Sequence, residues 1–214
     1  RMVKPSKKTA APYVPETKSR TVLKEKIQDC RGCDLYKTAT QAVFGEGPRT
    51  AKIMFVGEVP GDQEDLSGHP FVGPAGKLFD RALLEAGLDR QSVYVTNAVK
   101  HFKWIRQGKR RLHQKPNAEE INACQPWLQK EMEVIKPEIV VGLGGTAART
   151  LFGKVVTIKN LRGKFYPTSW SSRTFVTGHP SAILRALPPD REKLYAQMVA
   201  DFKKLRQALQ SDET

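Results

Sequence analysis

Short apolar runs alternate with amphipathic stretches along most of the chain. The apolar runs, which read as buried strands, lie at residues 52–57, 93–96, 138–143 and 175–177. Apolar side chains recur every three or four positions in the stretches that predict helices, at 21–29, 75–86, 117–135, 146–152 and 190–209. Asn117 and Glu120 form a capping-box pattern, and Pro126 is expected to kink or restart the helix that follows. The alternation predicts an α/β fold: a single domain with a mainly parallel central sheet flanked by helices.

The N-terminal residues do not follow this pattern. Residues 1–20 contain six Lys/Arg, three prolines and few large apolar side chains, which predicts a flexible basic tail before a folded domain over 21–210. The chain shows no secretory hydrophobic segment and no apolar run of membrane-spanning length. We therefore expect a monomeric cytoplasmic protein without a membrane partner.

Three loops follow predicted strands and should meet at the carboxyl edge of the sheet: 57–74, 97–116 and 178–186. The first is rich in glycine, including Gly57 and Gly61, which allow the backbone to approach a ligand. It also contains carboxylates suited to acid–base chemistry, among them Glu58 and Asp65. A plain glycine-rich surface loop is the alternative. The convergence of three loops favours a binding site.

The middle loop concentrates the positive charge of the chain, whose formal net charge is +14. Eight Lys/Arg and no acidic residue lie between Asp89 and Glu119, with Phe102 and Trp104 among them. This composition suits a phosphate backbone and unstacked bases, although a solvated basic face would look similar. His113 ends the basic run, and neighbouring cations should keep its imidazole neutral and nucleophilic. A phosphate contact or a turn cap is the other interpretation of this histidine.

Three cysteines, Cys30, Cys33 and Cys124, cannot all pair within the chain, and His101 is a candidate fourth ligand. Cys₃His sets bind zinc, and histidine also replaces cysteine on iron–sulfur clusters. Zinc, iron and three free thiols all remain open on spacing alone.

Seven segments in order give the chain a resemblance to a known family: CRGCDLY, VFGEGP, GEVPGDQEDLSGHPFVGPAG, YVTNAVKHFKW, GKRRLH, VVGLGGTAA and HPSAILR. From about Cys30 to Leu205 the chain resembles the iron–sulfur uracil-DNA glycosylases, and the KRRLH loop resembles the UdgX-type members that cross-link themselves to DNA. The resemblance implies the three-layer α/β/α fold of these DNA repair enzymes, uracil-containing DNA as partner, and a bacterial, nucleoid-associated location. It also implies a [4Fe–4S] cluster held by Cys30, Cys33, His101 and Cys124.

The resemblance also implies roles in the pocket. Phe71 would stack on a flipped uracil, Asn97 would read its edge, and His179 would hydrogen-bond the departing base. Gly57, Gly61 and Asp65 would belong to the same substrate site. The implied DNA contacts are Lys109, Arg110, Arg111, Ser181, Leu184 and Arg185.

The implied reaction is excision of uracil from DNA, with single-stranded DNA accepted or preferred, followed by attack of His113 on the sugar C1′. Glu58 would orient or deprotonate the imidazole, and Arg111 with Asp65 would hold the loop closed. Such a protein is consumed in one turnover. Val59 departs from the UdgX pattern, which has glutamine there, so a turnover glycosylase without trapping is an alternative. A uracil-DNA-binding module without chemistry is another, and a dinucleotide-binding protein is disfavoured because no G-x-G-x-x-G follows the first strand.

Overall fold

A computed structural model describes residues 8–211 of the chain. A central sheet is formed by five strands in the order β2-β1-β5-β7-β6, and strands β3 and β4 form a separate antiparallel hairpin. All neighbours in the central sheet are parallel except the β6–β7 pair. The strands are β1 (Ile53–Gly57), β2 (Tyr94–Asn97), β3 (Trp104–Gln107), β4 (Arg110–His113), β5 (Ile139–Leu143), β6 (Phe165–Tyr166) and β7 (Thr174–Thr177).

Helices connect the parallel strands and cover both faces of the sheet. They are α1 (Arg20–Lys26), α2 (Asp62–Ser67), α3 (Pro74–Glu85), α4 (Ala118–Ile135), α5 (Gly145–Phe152), α6 (Ile158–Leu161), α7 (Pro180–Arg185) and α8 (Asp190–Gln210). Short 3₁₀ turns occupy Ala11–Tyr13, Ile27–Asp29, Asp34–Lys37 and Arg90–Ser92. None of the helices between residues 8 and 211 combines the length and the apolar character needed to cross a membrane.

The core is divided by the sheet into two layers, as period-two alternation requires. Phe55 of β1 packs edge-on against Phe79 of α3 and Phe202 of α8 on one face. Val56, the next residue, belongs to the opposite cluster, which includes Trp127 of α4. The predicted α/β fold with a mainly parallel sheet between helical layers is confirmed.

The structure differs from the sequence-based prediction in its irregular-looking segments. Residues 97–116, predicted as a loop, contain the β3–β4 hairpin, whose turn places Gly108 at φ +60. The hairpin lacks an apolar/polar alternation because its inward face is held by charged groups rather than by the core. Helix α4 is one continuous element through Pro126, because its other residues are packed by tertiary contacts.

The segment predicted as a flexible tail contacts the domain at Ala10; residues 1–7 lie outside the described residues. Ala10 is buried, and its backbone N–H donates to the Ala123 carbonyl at 2.7 Å. Gly32 allows this close approach, since a Cβ at that position would lie 2.6 Å from the Ala10 Cα. Ala10 therefore anchors this segment to α4, whereas none of the other residues between 8 and 20 is buried.

Candidate active site

The candidate base pocket lies at the carboxyl ends of β1 and β2, where Gly57 and Asn97 are register partners. A Cβ at Gly57 would lie 2.5 Å from Asn97 Oδ1 and 2.7 Å from Phe71 Cζ. Glycine is therefore required if the amide and the ring are to border the same space. Phe71 itself adopts φ +55, an uncommon left-handed conformation for a bulky residue, and its ring packs 5.1 Å from that of Phe79. Such enforced conformations cluster at functional sites.

His179 faces this pocket from the loop after β7, with its ring 6.2 Å from that of Phe71. The backbone N–H of Ser181 donates to His179 Nδ1 at 3.0 Å, so Nδ1 holds the lone pair and caps helix α7. Burial lowers the pKa of His179 to about 4, with Arg185 and His113 adding to the effect. The neutral ring then carries its proton on Nε2, and it can donate a hydrogen bond to a ligand in the pocket.

Glu58 directly follows β1 and His113 ends β4, and the two side chains lie close together beside the candidate base pocket. Nε2 of His113 lies 3.6 Å from Glu58 Oε1, and the carboxylate is less exposed than the imidazole. The other carboxylate oxygen of Glu58 accepts a hydrogen bond from the Thr146 hydroxyl at the start of α5. Thr146 therefore fixes the carboxylate, while the His113 ring remains 44% exposed and accessible to a ligand.

The electrostatic surroundings keep His113 neutral. Burial lowers the pKa of His113, the Glu58 carboxylate opposes that shift, and Arg185 and Lys115 reinforce it. The imidazole of a neutral histidine has a free lone pair, which is what nucleophilic attack or proton acceptance requires.

The hairpin that contains His113 is held in place by Arg111. Its guanidinium binds Asp62 Oδ1 at 2.6 Å and Asp65 Oδ2 at 2.6 Å, and it lies over the rings of Phe102 and Trp104. Asp65 is fully buried and also accepts the Thr40 backbone N–H at 2.9 Å. The ion pair between Arg111 and Asp65 is therefore buried at its carboxylate.

These contacts leave little of Arg111 and Asp65 for a ligand. Arg111 was expected among the DNA contacts and Asp65 in the substrate site, but their charged atoms are occupied by each other and by Asp62. Both residues hold the hairpin against the domain. The same two residues were also predicted to hold the loop closed by charge pairing, and the observed Arg111–Asp65 contact is consistent with that prediction.

Of the remaining predicted DNA contacts, Ser181 is half-buried with its hydroxyl 2.8 Å from His179 Nδ1, and the other four lie on the surface. Lys109 and Arg110 are exposed at the hairpin tip, and Leu184 and Arg185 are exposed at the end of α7. The aromatic residues of the basic loop do not join this surface as expected. Phe102 is fully buried, and Trp104 donates its indole N–H to the Thr38 carbonyl at 3.0 Å beneath Arg111. The ring of Phe102 is therefore unavailable for stacking on bases, and that of Trp104 is half-buried.

The four candidate metal ligands line one common pocket, together with Ala10, Gly32 and Trp127. Cys30 and Cys33 flank short 3₁₀ turns, His101 follows β2, and Cys124 lies in α4. Burial raises the pKa of Cys124 to about 12 and lowers the pKa of His101 to about 4. Within residues 8–211, no three His, Cys, Asp or Glu side chains converge on a single ion position.

Comparison with known proteins adds the family to this geometry. The profile of the Uracil DNA glycosylase superfamily matches residues 44–203, which include β1 through most of α8. The chain belongs to this superfamily.

Relatives within the superfamily cover most of the chain. The Type-4 uracil-DNA glycosylase of Archaeoglobus fulgidus is 40% identical over 186 residues, which is 84% of this chain and 87% of that protein. The Type-4 enzyme of Saccharolobus solfataricus is 39% identical and covers 89% of this chain and 86% of its own length. The crystal structure of Pedobacter heparinus SMUG2 superposes with a TM-score of 0.54 at 13% identity, over 74% of this chain and 77% of that one, and it supports the fold.

Several site residues were not predicted from the sequence. Glu64 accepts the backbone N–H groups of Val72 and Gly73 at 3.1 and 2.9 Å, and it would collide with any Cβ at Gly61, so it shapes the pocket loop. Thr146, which holds Glu58, gave one signal: it directly follows the Gly-Gly turn after a predicted strand.

A buried ion pair beneath the pocket was also missed. Lys100 Nζ binds Glu131 Oε2 at 2.5 Å and donates to the Asn97 carbonyl at 2.7 Å, and both charged side chains are inaccessible. Glu131 also accepts from Tyr94 and from the Gly45 backbone. The network ties α4 to the strand end that presents Asn97. Sequence offered no signal for it because the partners are 31 residues apart.

Proposed function

We propose that the chain excises uracil from DNA and then becomes covalently attached, through His113, to the resulting sugar C1′. Membership of the superfamily supports the excision. The observation that supports the attachment is the neutral, accessible imidazole of His113 beside the Glu58 carboxylate, 3.6 Å away, at the mouth of the base pocket.

Base release would use the inner wall of the pocket. Phe71 offers a ring face to a flipped uracil, and the Asn97 amide offers both a donor and an acceptor to its edge. As the bond between C1′ and uracil N1 breaks, the electron pair leaves with the base. The Nε2–H of neutral His179 would stabilise the charge that develops on the uracil carbonyl.

The attachment would follow from the cation left behind on the sugar. Glu58 stabilises that positive charge, and the Nε2 lone pair of His113 forms the new bond to C1′. The imidazolium then loses its Nδ1 proton to solvent, and the uracil anion takes up a proton. An imidazole attached to C1′ is a poor leaving group near neutral pH, so the protein would act once.

A gel experiment tests the attachment. The protein is mixed with uracil-containing single-stranded DNA and run under denaturing conditions, and we expect a shifted band that resists SDS and heat. His113→Ser should release uracil without the shifted band if the histidine replaces water. Multiple turnovers of uracil release by the unaltered protein would instead support the turnover glycosylase. Salt-sensitive binding without an abasic product would support a binding module.

The departure at Val59 does not favour the turnover alternative on packing grounds. Val59 is buried in the same apolar cluster as Val56 and Ala98. A glutamine there would have to bury its amide, whereas valine is well suited to the site.

We further propose that the cavity of Cys30, Cys33, His101 and Cys124 holds a [4Fe–4S] cluster, and its chemistry supports this fit. Burial raises the pKa values of Cys33 and Cys124, so thiolates there need an adjacent cation, which iron supplies. Among buried side-chain nitrogen and oxygen atoms of residues 8–211, Trp127 Nε1 is the one without a hydrogen-bond partner, and Trp127 lines this cavity. An indole N–H is a suitable donor to cluster sulfur.

The cluster would tie the N-terminal segment and β2 to α4, a structural role. Iron and acid-labile sulfide analysis of the purified protein tests it, together with absorbance near ~400 nm. A colourless protein that contains zinc would overturn the cluster. We place the activity in a monomer that acts on DNA in the bacterial cytoplasm, associated with the nucleoid.

A further inference from the structure

The hairpin has an outward face that none of the roles above uses. Cross-strand partners in an antiparallel pair point to the same side, and successive pairs alternate. The pairs Trp104–His113 and Arg106–Arg111 therefore share one side, and Arg111 and His113 direct that side towards the domain. The pair Ile105–Leu112 must point the other way.

This outward pair is apolar and open to solvent. Ile105 is 52% exposed and Leu112 is 44% exposed. The aromatic side chains expected to contact bases lie on the opposite side or in the core, where Phe102 is inaccessible. The aliphatic pair is thus the apolar surface that the hairpin presents.

The surroundings indicate what would cover it. Arg106, Lys109 and Arg110 are exposed on the same hairpin, and no ion pair with a described acidic residue is recorded for them. Leu112 directly precedes His113, the residue beside the base pocket. An apolar patch framed by exposed cations, on the same short hairpin that carries His113, matches a nucleic acid strand, with phosphates on the cations and a base on the patch.

We propose that Ile105 and Leu112 pack against the face of the nucleobase next to the uracil in single-stranded DNA. The proposal rests on the proposed function, because the uracil pocket sets the position of the strand. When a base leaves the stack, its neighbour loses a stacking surface, and the aliphatic pair replaces part of that surface. The pair would thus hold the strand in register with His113.

Binding to two oligonucleotides tests the proposal. Both carry one 2′-fluoro-deoxyuridine, whose fluorine suppresses glycosidic cleavage, so that affinity is measured without reaction. One has normal bases throughout, and the other has baseless spacers on each side of the uridine. The variant is Ile105→Thr with Leu112→Thr, since threonine keeps strand propensity. Val155→Thr, at another highly exposed apolar position, is the matched control.

We expect the double variant to lose about tenfold in affinity for the oligonucleotide with normal bases, as shielding of modest apolar areas would predict. It should bind the spacer oligonucleotide as the unaltered protein does, and Val155→Thr should bind both normally. Equal losses on the two oligonucleotides, or no loss, would overturn the proposal. Without DNA, a slower sedimentation of the double variant than of the unaltered protein would also overturn the proposal, because the patch would then join two copies of the chain.

The proposed function is checked separately with a cleavable uracil oligonucleotide and the unaltered protein. Uracil release and adduct formation there, combined with no effect of the double variant, would reject only the contact by Ile105 and Leu112. Absence of uracil release by the unaltered protein would reject the function itself. Urea unfolding of the double variant shows whether the hairpin substitution has altered the fold.

Discussion

Gly57→Ala is the substitution whose effect follows most directly from the pocket geometry. The added Cβ would lie 2.5 Å from Asn97 Oδ1 and 2.7 Å from Phe71 Cζ, whereas ordinary contact begins at 3.4 Å. The backbone at residue 57 is an ordinary strand conformation, so alanine causes no backbone strain of its own. The whole effect should therefore come from displacement of the amide and the ring.

Neither group can move away freely. Phe71 is fixed by its contact with Phe79, and the backbone of Asn97 is held because its carbonyl oxygen accepts a hydrogen bond from Lys100. To restore contact, the amide oxygen of Asn97 must retreat by most of an ångström. A displacement of about 1 Å in a positioning group can cost about a hundredfold in rate, equivalent to about 2.7 kcal/mol. We expect a loss of this size in the excision step.

The assay is single-turnover release of free uracil, with the protein in excess over a uracil-containing single-stranded oligonucleotide. Gly145→Ala is the matched control, because its Cβ would meet no atom within 4 Å. Urea unfolding checks that both variants are folded. An excision rate for Gly57→Ala within about twofold of the unaltered protein would refute the assignment of Asn97 and Phe71 to the base pocket.

Three further substitutions test the surroundings of the pocket. Lys115→Ala removes a positive charge that lowers the pKa of His113, so the pKa should rise. Because adduct formation needs the neutral ring, the pH below which the rate of adduct formation falls should become higher. Lys159→Ala, the control, should leave the pH profile unchanged. An unshifted profile between about pH 5 and about pH 8 would show that His113 does not titrate in the step. Asp65→Asn removes the charge that accepts a hydrogen bond from Arg111, and a hydrogen bond to a charged group contributes about 1.5–3 kcal/mol. Hydrogen exchange in residues 104–113 should therefore accelerate, and adduct formation should slow by at least tenfold. Unchanged exchange would mean that Asp62 alone holds the hairpin. Lys100→Met leaves Glu131 buried without its cation and should cost about 3–5 kcal/mol in urea unfolding, with partial recovery on adding Glu131→Gln. Equal stability of Lys100→Met and an exposed-site control, Lys203→Met, would contradict the role of the pair.

The periodic part of the fold was predictable from sequence, and the reasons are physical. Residues such as Phe55 and Val56 lie in a strand that is buried on both faces, and such strands are continuous apolar runs. The Asn117–Glu120 capping box was predictable because its contacts are local, and the structure contains it. The β3–β4 hairpin was not, since its position depends on Arg111 reaching acids 46 and 49 residues away.

In the candidate site, too, the features set by strand order were predictable and those set by long-range contacts were not. The three loops were expected to meet because strand order sets that edge, and the contact between Glu58 and His113 shows that two of them do. The roles of individual charges were less predictable: burial decides whether Arg111 faces DNA or Asp65, and burial of a polar residue is a tertiary property. The aromatic residues between the cations suggested base stacking for the same reason: sequence does not show that Phe102 is buried beneath Arg111.

Within the described residues 8–211, the β3–β4 hairpin shares no hydrogen-bonded ladder with the central sheet, so Asn97 and His113 belong to different structural units. In the proposed function, Phe71, Asn97 and His179 recognise the base from the central sheet, without the hairpin. The proposed attachment through His113 then implies that a protein of this fold gains or loses the covalent step with one short hairpin and the acidic pair that binds its arginine. Transplanting residues 104–113, with Asp62 and Asp65, into a relative that lacks them would be a compact route to a uracil-directed DNA label.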